Sequence, residues 1–136
     1  MFKPLRYDAG RLSTIKDGTA SSTTITKFDG LAWTSGYVRR AIGTDVEIRL
    51  LAMEDITTAA GEHEDIQVLY IGGGVEFECD TTGNMAISYR GTKVDMTDHD
   101  TLDEDSAGTD YAFYIIDMVG ATTDKKCRGY FVQKVS

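Results

Sequence analysis

Apolar and polar side chains alternate most regularly just after the middle of the chain. Val75, Phe77 and Cys79 are separated by Glu76 and Glu78. Successive side chains of a strand point to opposite faces. The alternation therefore predicts a strand with its apolar face in the core and its acidic face toward water.

A triple glycine at positions 72–74 separates this strand from an apolar run at residues 66–71. A phosphate-binding loop would need Lys and then Ser or Thr after its last glycine, followed by a helix. Val75 and Glu76 follow instead, and an acidic residue there would repel phosphate. We therefore interpret the glycines as a tight turn or bulge between two paired strands.

Strand patterns recur along the rest of the chain, with turn-forming residues roughly every 8 to 12 positions. Ser35 and Gly36 form a turn signal that predicts a hairpin. The strongest apolar run, at residues 111–119, predicts a central strand covered on both sides. The segments with strand patterns are residues 23–28, 31–34, 37–38, 44–55, 85–89, 111–119 and 127–135, and residues 56–65 and 97–110 are predicted to be exposed loops.

Two periods compete at residues 44–55. Thr44 and Glu47 have the spacing of a helix capping box, whereas Val46, Ile48 and Leu50 alternate with charged residues as they would in a strand. The β-rich surroundings favour a strand, because local propensity yields to context.

These patterns predict an all-β fold, a small antiparallel β-barrel or β-tulip/sandwich with an extended N-terminal arm. Residues 1–8 form the arm and residues 9–136 form a single β domain; a chain of 136 residues has the usual size of one domain. The arm mixes apolar and basic side chains without helical or strand period. It either closes over its own barrel or reaches onto a neighbour.

Cysteine usage and hydropathy indicate where the protein is made. Cys79 and Cys127 lie far apart without CxxC spacing, so we expect free, buried thiols rather than a disulfide. No apolar run approaches the roughly 18 residues of a membrane span, and no apolar segment follows the basic N-terminus. We expect no membrane partner and synthesis in the cytosol of the producing cell.

The sequence has a net charge of -8, and its basic and acidic residues are concentrated in different segments. Residues 1–50 hold eight basic and five acidic residues, residues 51–124 hold two and seventeen, and residues 125–136 hold four and none. Nucleic acid would be repelled by such an acidic middle, so we expect no nucleic-acid partner. The two basic ends could rest on an acidic protein surface, or the charge could serve solubility alone.

The sequence contains no complete motif for metal binding or catalysis. An EF-hand starting at Asp103 would place Ala107 at a ligand position and Tyr114 where a bidentate Glu is needed. A looser cation site or a solvated loop remains possible in that acidic segment. His63 and His99 stand among carboxylates, which favours charged surface imidazoles over zinc ligands. We find no nucleophile elbow and predict no enzyme and no cofactor.

Three sets of segments resemble those of a known family. They are residues 52–58, residues 74–78 with 91–95, and residues 119–121 with 124–131. Together they are similar to capsid decoration, or cement, proteins of tailed bacteriophages, over residues 50–136. The resemblance implies a small β-barrel or β-tulip that assembles as a trimer or dimer. It implies the major capsid protein as partner, and a place on the outer capsid surface of the virion, where the protein stabilises the shell without catalysis.

On this hypothesis, the N-terminal arm grips the capsid or a neighbouring subunit, and basic residues near both ends add electrostatic complementarity. The predicted contact residues are Phe2, Lys3, Pro4, Leu5, Arg6, Tyr7, Arg39, Arg40, Lys125, Lys126 and Arg128. Two alternatives remain open. A β-sandwich ligand- or glycan-binding module would gather Trp33, Tyr37 and Tyr89 into one cluster, and a hydrolase would depend on the acidic loop.

Overall fold

A computed structural model describes residues 1–7, 9–45, 48–72, 75–106 and 112–132. These residues form an all-β fold with short 3-10 helices at Ala9–Arg11, Ile87–Tyr89 and Thr122–Asp124. None of the helices in the described ranges is long and apolar enough to cross a membrane. The strands are β1 (Phe2–Pro4), β2 (Leu12–Ile15), β3 (Thr24–Ile25), β4 (Gly30–Thr34), β5 (Tyr37–Arg40), β6 (Leu50–Ala52), β7 (Ile56–Thr57), β8 (Ile66–Tyr70), β9 (Phe77–Thr81), β10 (Lys93–Met96), β11 (Thr101–Asp103), β12 (Phe113–Met118) and β13 (Lys126–Phe131).

Five of these strands close a barrel in the order β9-β11-β10-β12-β13, because β13 pairs back with β9. The β9–β11 pair is parallel and the other pairs are antiparallel. β1 lies on the same edge of β9 as β11, since β13 occupies the opposite edge. The predicted all-β barrel is confirmed. The N-terminal segment is extended, and it belongs to the barrel sheet.

A second sheet, in the order β2-β8-β6-β4-β5, lies between two hydrophobic cores. Leu51 and Leu69 pack into the barrel core, whereas Leu50 and Val68 pack into a smaller core on the other face. The short β3–β7 pair contributes Ile25 and Ile56 to that smaller core.

Four phenylalanines hold the barrel together. The ring of Phe131 meets those of Phe2, Phe77 and Phe113 edge to face, with ring centroids 5.1, 5.0 and 5.1 Å apart. This is the geometry that aromatic quadrupoles favour. Phe2 is 0% exposed, so the first strand contributes to the core.

The two strands around the triple glycine are confirmed, but they do not pair with each other. Val75, Phe77 and Cys79 are buried and the glutamates between them are only half-buried, as the alternation predicts. β8 belongs to the second sheet and β9 to the barrel, so the expectation of paired strands is wrong. Gly73 and Gly74 lie outside the described residues.

The predicted hairpin is also confirmed. β4 and β5 pair directly, and Ser35 and Gly36 connect them with φ of 50° and 84°. Positive φ at both central residues suits the right-handed twist of the flanking strands. At residues 44–55 the strand interpretation holds for β6, while Val46 and Glu47 lie outside the described residues.

Both predicted loops contain strands. Ile56 lies in β7 and is buried against β3, and Leu102 lies in β11 and is buried in the barrel. A single apolar residue between polar neighbours has no visible period, so only its tertiary partners reveal the strand. Residues 107–110 of the second loop lie outside the described residues.

Three strand predictions need correction. Residues 85–89 contain a 3-10 turn, in which Tyr89 N–H donates to Ala86 O and Ile87 is 65% exposed. β12 is covered on its inner face only, because a barrel has one interior; Tyr114 and Ile116 are half-buried. The strand predicted at residues 23–28 is reduced to β3.

The last strand is confirmed as β13, and Tyr111 and residues 133–136 lie outside the described residues.

Candidate contact surface

The outer face of β9 and β13 carries a ladder of opposite charges. Register places Lys126 beside Asp80 and Arg128 beside Glu78. Lys126 Nζ donates to Asp80 Oδ1 at 2.9 Å, and Arg128 Nη1 donates to Glu76 Oε1 at 2.8 Å. The basic C-terminal segment therefore neutralises part of the acidic middle of the same chain.

The N-terminus joins this ladder. The ammonium group of Met1 donates to Asp80 Oδ2 at 2.8 Å. Burial alone would raise the pKa of Asp80, but its hydrogen bonds to the N-terminal ammonium and to Lys126 prevail and lower it. The Asp80 hydrogen bond in turn raises the pKa of Lys126. A cleft of about 260 Å³ lies here, and its lining includes Lys3 and Glu78.

Two predicted contact residues are part of the fold itself. Phe2 and Pro4 are buried and pair with Cys79 and Phe77 of β9. Their side chains are therefore not available to a partner, and of the two alternatives for the arm the structure shows closure over the chain's own barrel. In the strand conformation Phe2 and Pro4 point to the same face of the sheet, and that face is buried.

The rest of the arm remains at the surface. Lys3, Leu5, Arg6 and Tyr7 are exposed, and we call these four residues the N-terminal strip. Leu5 N–H donates to Glu76 O at 2.8 Å, which fixes the backbone of the strip beyond the end of β1. Leu5 and Tyr7 are 41% and 43% exposed, so apolar surface lies beside two basic side chains.

The remaining predicted residues differ in how far they are engaged. Arg39 binds both oxygens of Asp45, at 3.0 and 3.3 Å. Arg40 lies on the opposite face of β5, with Nη1 3.4 Å from His99 Nε2. Lys125 is exposed and has a φ of 55°, between the last 3-10 turn and β13.

A buried carboxylate outside the predicted contact residues lies beside Arg40. Asp29 is buried, and its Oδ2 accepts the Thr26 N–H at 2.8 Å. His99 Nε2 lies 3.9 Å from both Asp29 Oδ1 and Asp100 Oδ2. Burial raises the pKa of Asp29, against the lowering effect of the Thr26 hydrogen bond and of the His99 and Arg40 charges. This cluster ties β4 and β5 to the segment before β11.

Two groups of side chains have the composition of a cation site. In the cluster just described, one ligand atom each from Asp29, His99 and Asp100 lie within 4.8 Å of one another, but Arg40 already occupies the side of His99 Nε2. Residues 103–105 supply three carboxylates at the same mutual distance. In the contacts of the described residues, no basic side chain lies against the carboxylates of this second group.

The aromatic residues of the ligand-binding alternative do not form one cluster. Register places Trp33 opposite Val38 and Tyr37 opposite Thr34, so the two aromatic rings lie on opposite faces of the hairpin. Tyr37 stacks on His63 with ring centroids 3.9 Å apart, and Tyr89 packs against the barrel core.

Comparisons with protein-family models, with curated proteins and with solved structures found no match for this chain. The resemblance to decoration proteins therefore depends on the three sets of segments alone. Residues 91–95 cover most of β10, residues 124–131 include β13, and residues 52–58 connect the second sheet to β7. Gly74 lies outside the described residues.

Proposed function

We propose that this protein is a structural virion protein that binds the outer surface of a phage capsid and stabilises the shell. Its partner is the major capsid protein, and it acts by binding without catalysis. The observation that carries the proposal is the N-terminal strip, an exposed apolar and basic segment held in place by a buried strand.

The strip suits binding because its backbone is already ordered. An arm that was disordered before binding would lose conformational entropy on contact, which weakens affinity. Here Phe2 and Pro4 anchor β1 in the barrel, and Leu5 N–H is bonded to Glu76 O. Leu5 and Tyr7 then supply apolar contact area, while the basic side chains beside them suit an acidic capsid surface.

The basic C-terminal residues contribute less than the sequence predicts. Lys126 is bound to Asp80 of β9, and Arg128 is bound to Glu76 just before β9. A partner would have to compete with those carboxylates. Arg39 is likewise bound to Asp45. Arg40 is engaged with His99 and the buried Asp29. We therefore assign the main capsid contact to the strip and a supporting role to Lys125.

Assembly into a homotrimer, or a dimer, would strengthen a weak contact. A capsid displays many equivalent positions, and subunits joined in one particle bind several of them at high effective concentration. Each strip then needs only modest affinity.

The proposal is tested by cosedimentation of the purified protein with undecorated phage capsids. Saturable binding is expected for the wild-type chain and a loss of tenfold or more in affinity for the double variant Leu5→Ser/Tyr7→Ser. The matched control is Ile87→Ser, which removes another exposed apolar side chain outside the strip. Wild-type protein that does not sediment with capsids refutes the function, and unchanged binding by the double variant refutes the role of the strip.

The basic part of the strip is tested by charge reversal. Lys3→Glu/Arg6→Glu should weaken binding and reduce its salt dependence, because exposed charges are screened by salt. Lys16→Glu reverses an exposed charge directly after β2, outside the strip, and should have little effect on binding. Equal loss with both changes would indicate that only net charge matters.

A further inference from the structure

The chain makes a tight bend directly after β11, at one end of the barrel. Asp95 of β10 pairs with Asp103 of β11, and Asp95 N–H donates to Ser106 Oγ at 2.9 Å. Ser106 N–H donates to Asp103 O at 3.2 Å. These bonds hold the consecutive acidic residues Asp103, Glu104 and Asp105 in a tight bend, with one carboxylate oxygen from each within 4.8 Å of the others.

The middle residue of the bend is buried. Glu104 is only 6% exposed, and its Oε2 has no hydrogen-bond partner in the described part of the chain. Its Oε1 packs against Gly83, where a Cβ would overlap it. A buried carboxylate oxygen without a donor costs free energy comparable to a lost hydrogen bond or more. Glu104 Oε2 is therefore open to a further partner, which can be a hydrogen-bond donor or a cation.

The flanking residues favour a cation, because Asp103 and Asp105 each bring a further carboxylate oxygen within 4.8 Å of that of Glu104. A cleft of about 160 Å³ gives access to the bend, with Tyr89, Glu104 and Asp105 among its lining residues. Lys93 also lines this cleft and is exposed, and it makes no ion pair with the three carboxylates in the described contacts.

We propose that Asp103, Glu104 and Asp105 bind a divalent cation, and that Ca²⁺ is the ion they suit best. Ca²⁺ prefers carboxylate and other oxygen ligands, takes 6–8 of them and accepts irregular geometry. Carboxylates of consecutive residues in a bend offer such geometry, and water completes the shell from the cleft. Mg²⁺ demands a near-ideal octahedron and suits this bend less well.

Bound Ca²⁺ supplies the missing partner of Glu104 Oε2 and removes the repulsion between the three carboxylates. Because the bend follows β11 and is bonded to Asp95 of β10, an ion bound there holds two barrel strands together and stabilises the folded chain. A ligand that binds only the folded state raises the melting temperature with its concentration.

The first test measures thermal unfolding of the full chain after treatment with EDTA, at constant ionic strength. We expect CaCl₂ at a hundredfold excess over its dissociation constant to raise the melting temperature by about 5 °C or more, and MgCl₂ to raise it less. Glu104→Gln keeps the shape of the side chain but should lose the response. Glu62→Gln removes an exposed carboxylate elsewhere and should keep it.

The second test measures binding directly and does not need a folded Glu104 variant. Tb³⁺, a luminescent substitute for Ca²⁺, should be sensitised by Tyr89 of the same cleft, and Ca²⁺ should displace it with one ion per chain. Asp105→Asn should weaken the displacement at least tenfold. Absence of a Ca²⁺ response in the wild-type chain, or an undiminished response in Glu104→Gln or Asp105→Asn, overturns the proposal. None of these measurements involves capsids, so their outcome is independent of the proposed function.

Discussion

Replacing Phe2 by Ala tests whether the N-terminal strand belongs to the barrel. The side chain is 0% exposed, its ring meets that of Phe131 at 86° with centroids 5.1 Å apart, and its backbone pairs with Cys79. The substitution leaves a cavity beside the ring of Phe131 in the barrel core. If the arm were a free grip, the same change would leave stability untouched.

The expected loss follows from burial and ring contact. Phe→Ala changes in protein cores cost about 3–5 kcal/mol, and an edge-to-face aromatic pair contributes roughly 0.5–1.5 kcal/mol of such a loss. A domain of this size is stable by only about 5–15 kcal/mol. Phe2→Ala should therefore remove a large fraction of the free energy of unfolding.

Urea unfolding followed by far-UV circular dichroism measures this loss. We expect the midpoint for Phe2→Ala to fall by more than 1 M, given a slope of about 1–3 kcal/mol per molar urea. Tyr7→Ala changes an exposed aromatic residue of the same segment and should stay within about 0.5 kcal/mol of the wild type. A midpoint for Phe2→Ala equal to that of Tyr7→Ala would refute the assignment of β1 to the core.

Two further predictions concern the thiols and the charge ladder. Burial raises the pKa of Cys127 to about 12 and the pKa of Cys79 well above its usual value of 9.0. Neither thiol should therefore react with an alkylating reagent at pH 8 until urea unfolds the chain. Mass spectrometry of the native protein after labelling checks this. Because the pKa of Asp80 is lowered in the folded state, its ionised carboxylate stabilises the fold at pH values above its usual pKa of 3.8. This contribution is lost as the pH falls through the lowered pKa of the folded state. Asp80→Asn should therefore cost about 1 kcal/mol or less at pH 7, less still in high salt, and progressively less as the pH is lowered below 3.8, as measured by urea unfolding. A cost that does not fall with pH would contradict the ion pair.

The strands that could be predicted from the sequence are those whose side chains alternate over several residues. Val75, Phe77 and Cys79 form such a series, and the hairpin at Ser35 and Gly36 adds its own turn signal. The free, buried cysteines were also predictable, and register now places Cys79 directly opposite Cys127. In each case the local pattern and the tertiary environment agree.

The failures share one cause, which is that a partner distant in sequence decides the structure. Leu102 forms a barrel strand only because β9 and β10 flank it, and Ile56 is buried only because β3 covers it. Ile87 has the spacing of a strand residue but is exposed, because a 3-10 turn reverses the chain there. The sequence left a looser cation site open in the acidic segment but could not place it at residues 103–105, since burial of Glu104 follows from the closed barrel.

Charge shows most clearly how the fold changes the functional interpretation. Along the sequence the basic C-terminal segment and the acidic middle look like separate surfaces, and each could face a different partner. The antiparallel register of β9 and β13 brings them side by side, so that Lys126 binds Asp80 and Arg128 binds Glu76. Paired charges attract a partner weakly, because breaking each pair offsets the new contact. Among the predicted contact residues, Lys3 and Arg6 are exposed next to Leu5 and Tyr7, which are exposed as well. Capsid binding should therefore be tested on the N-terminal strip and not on the whole set of basic residues.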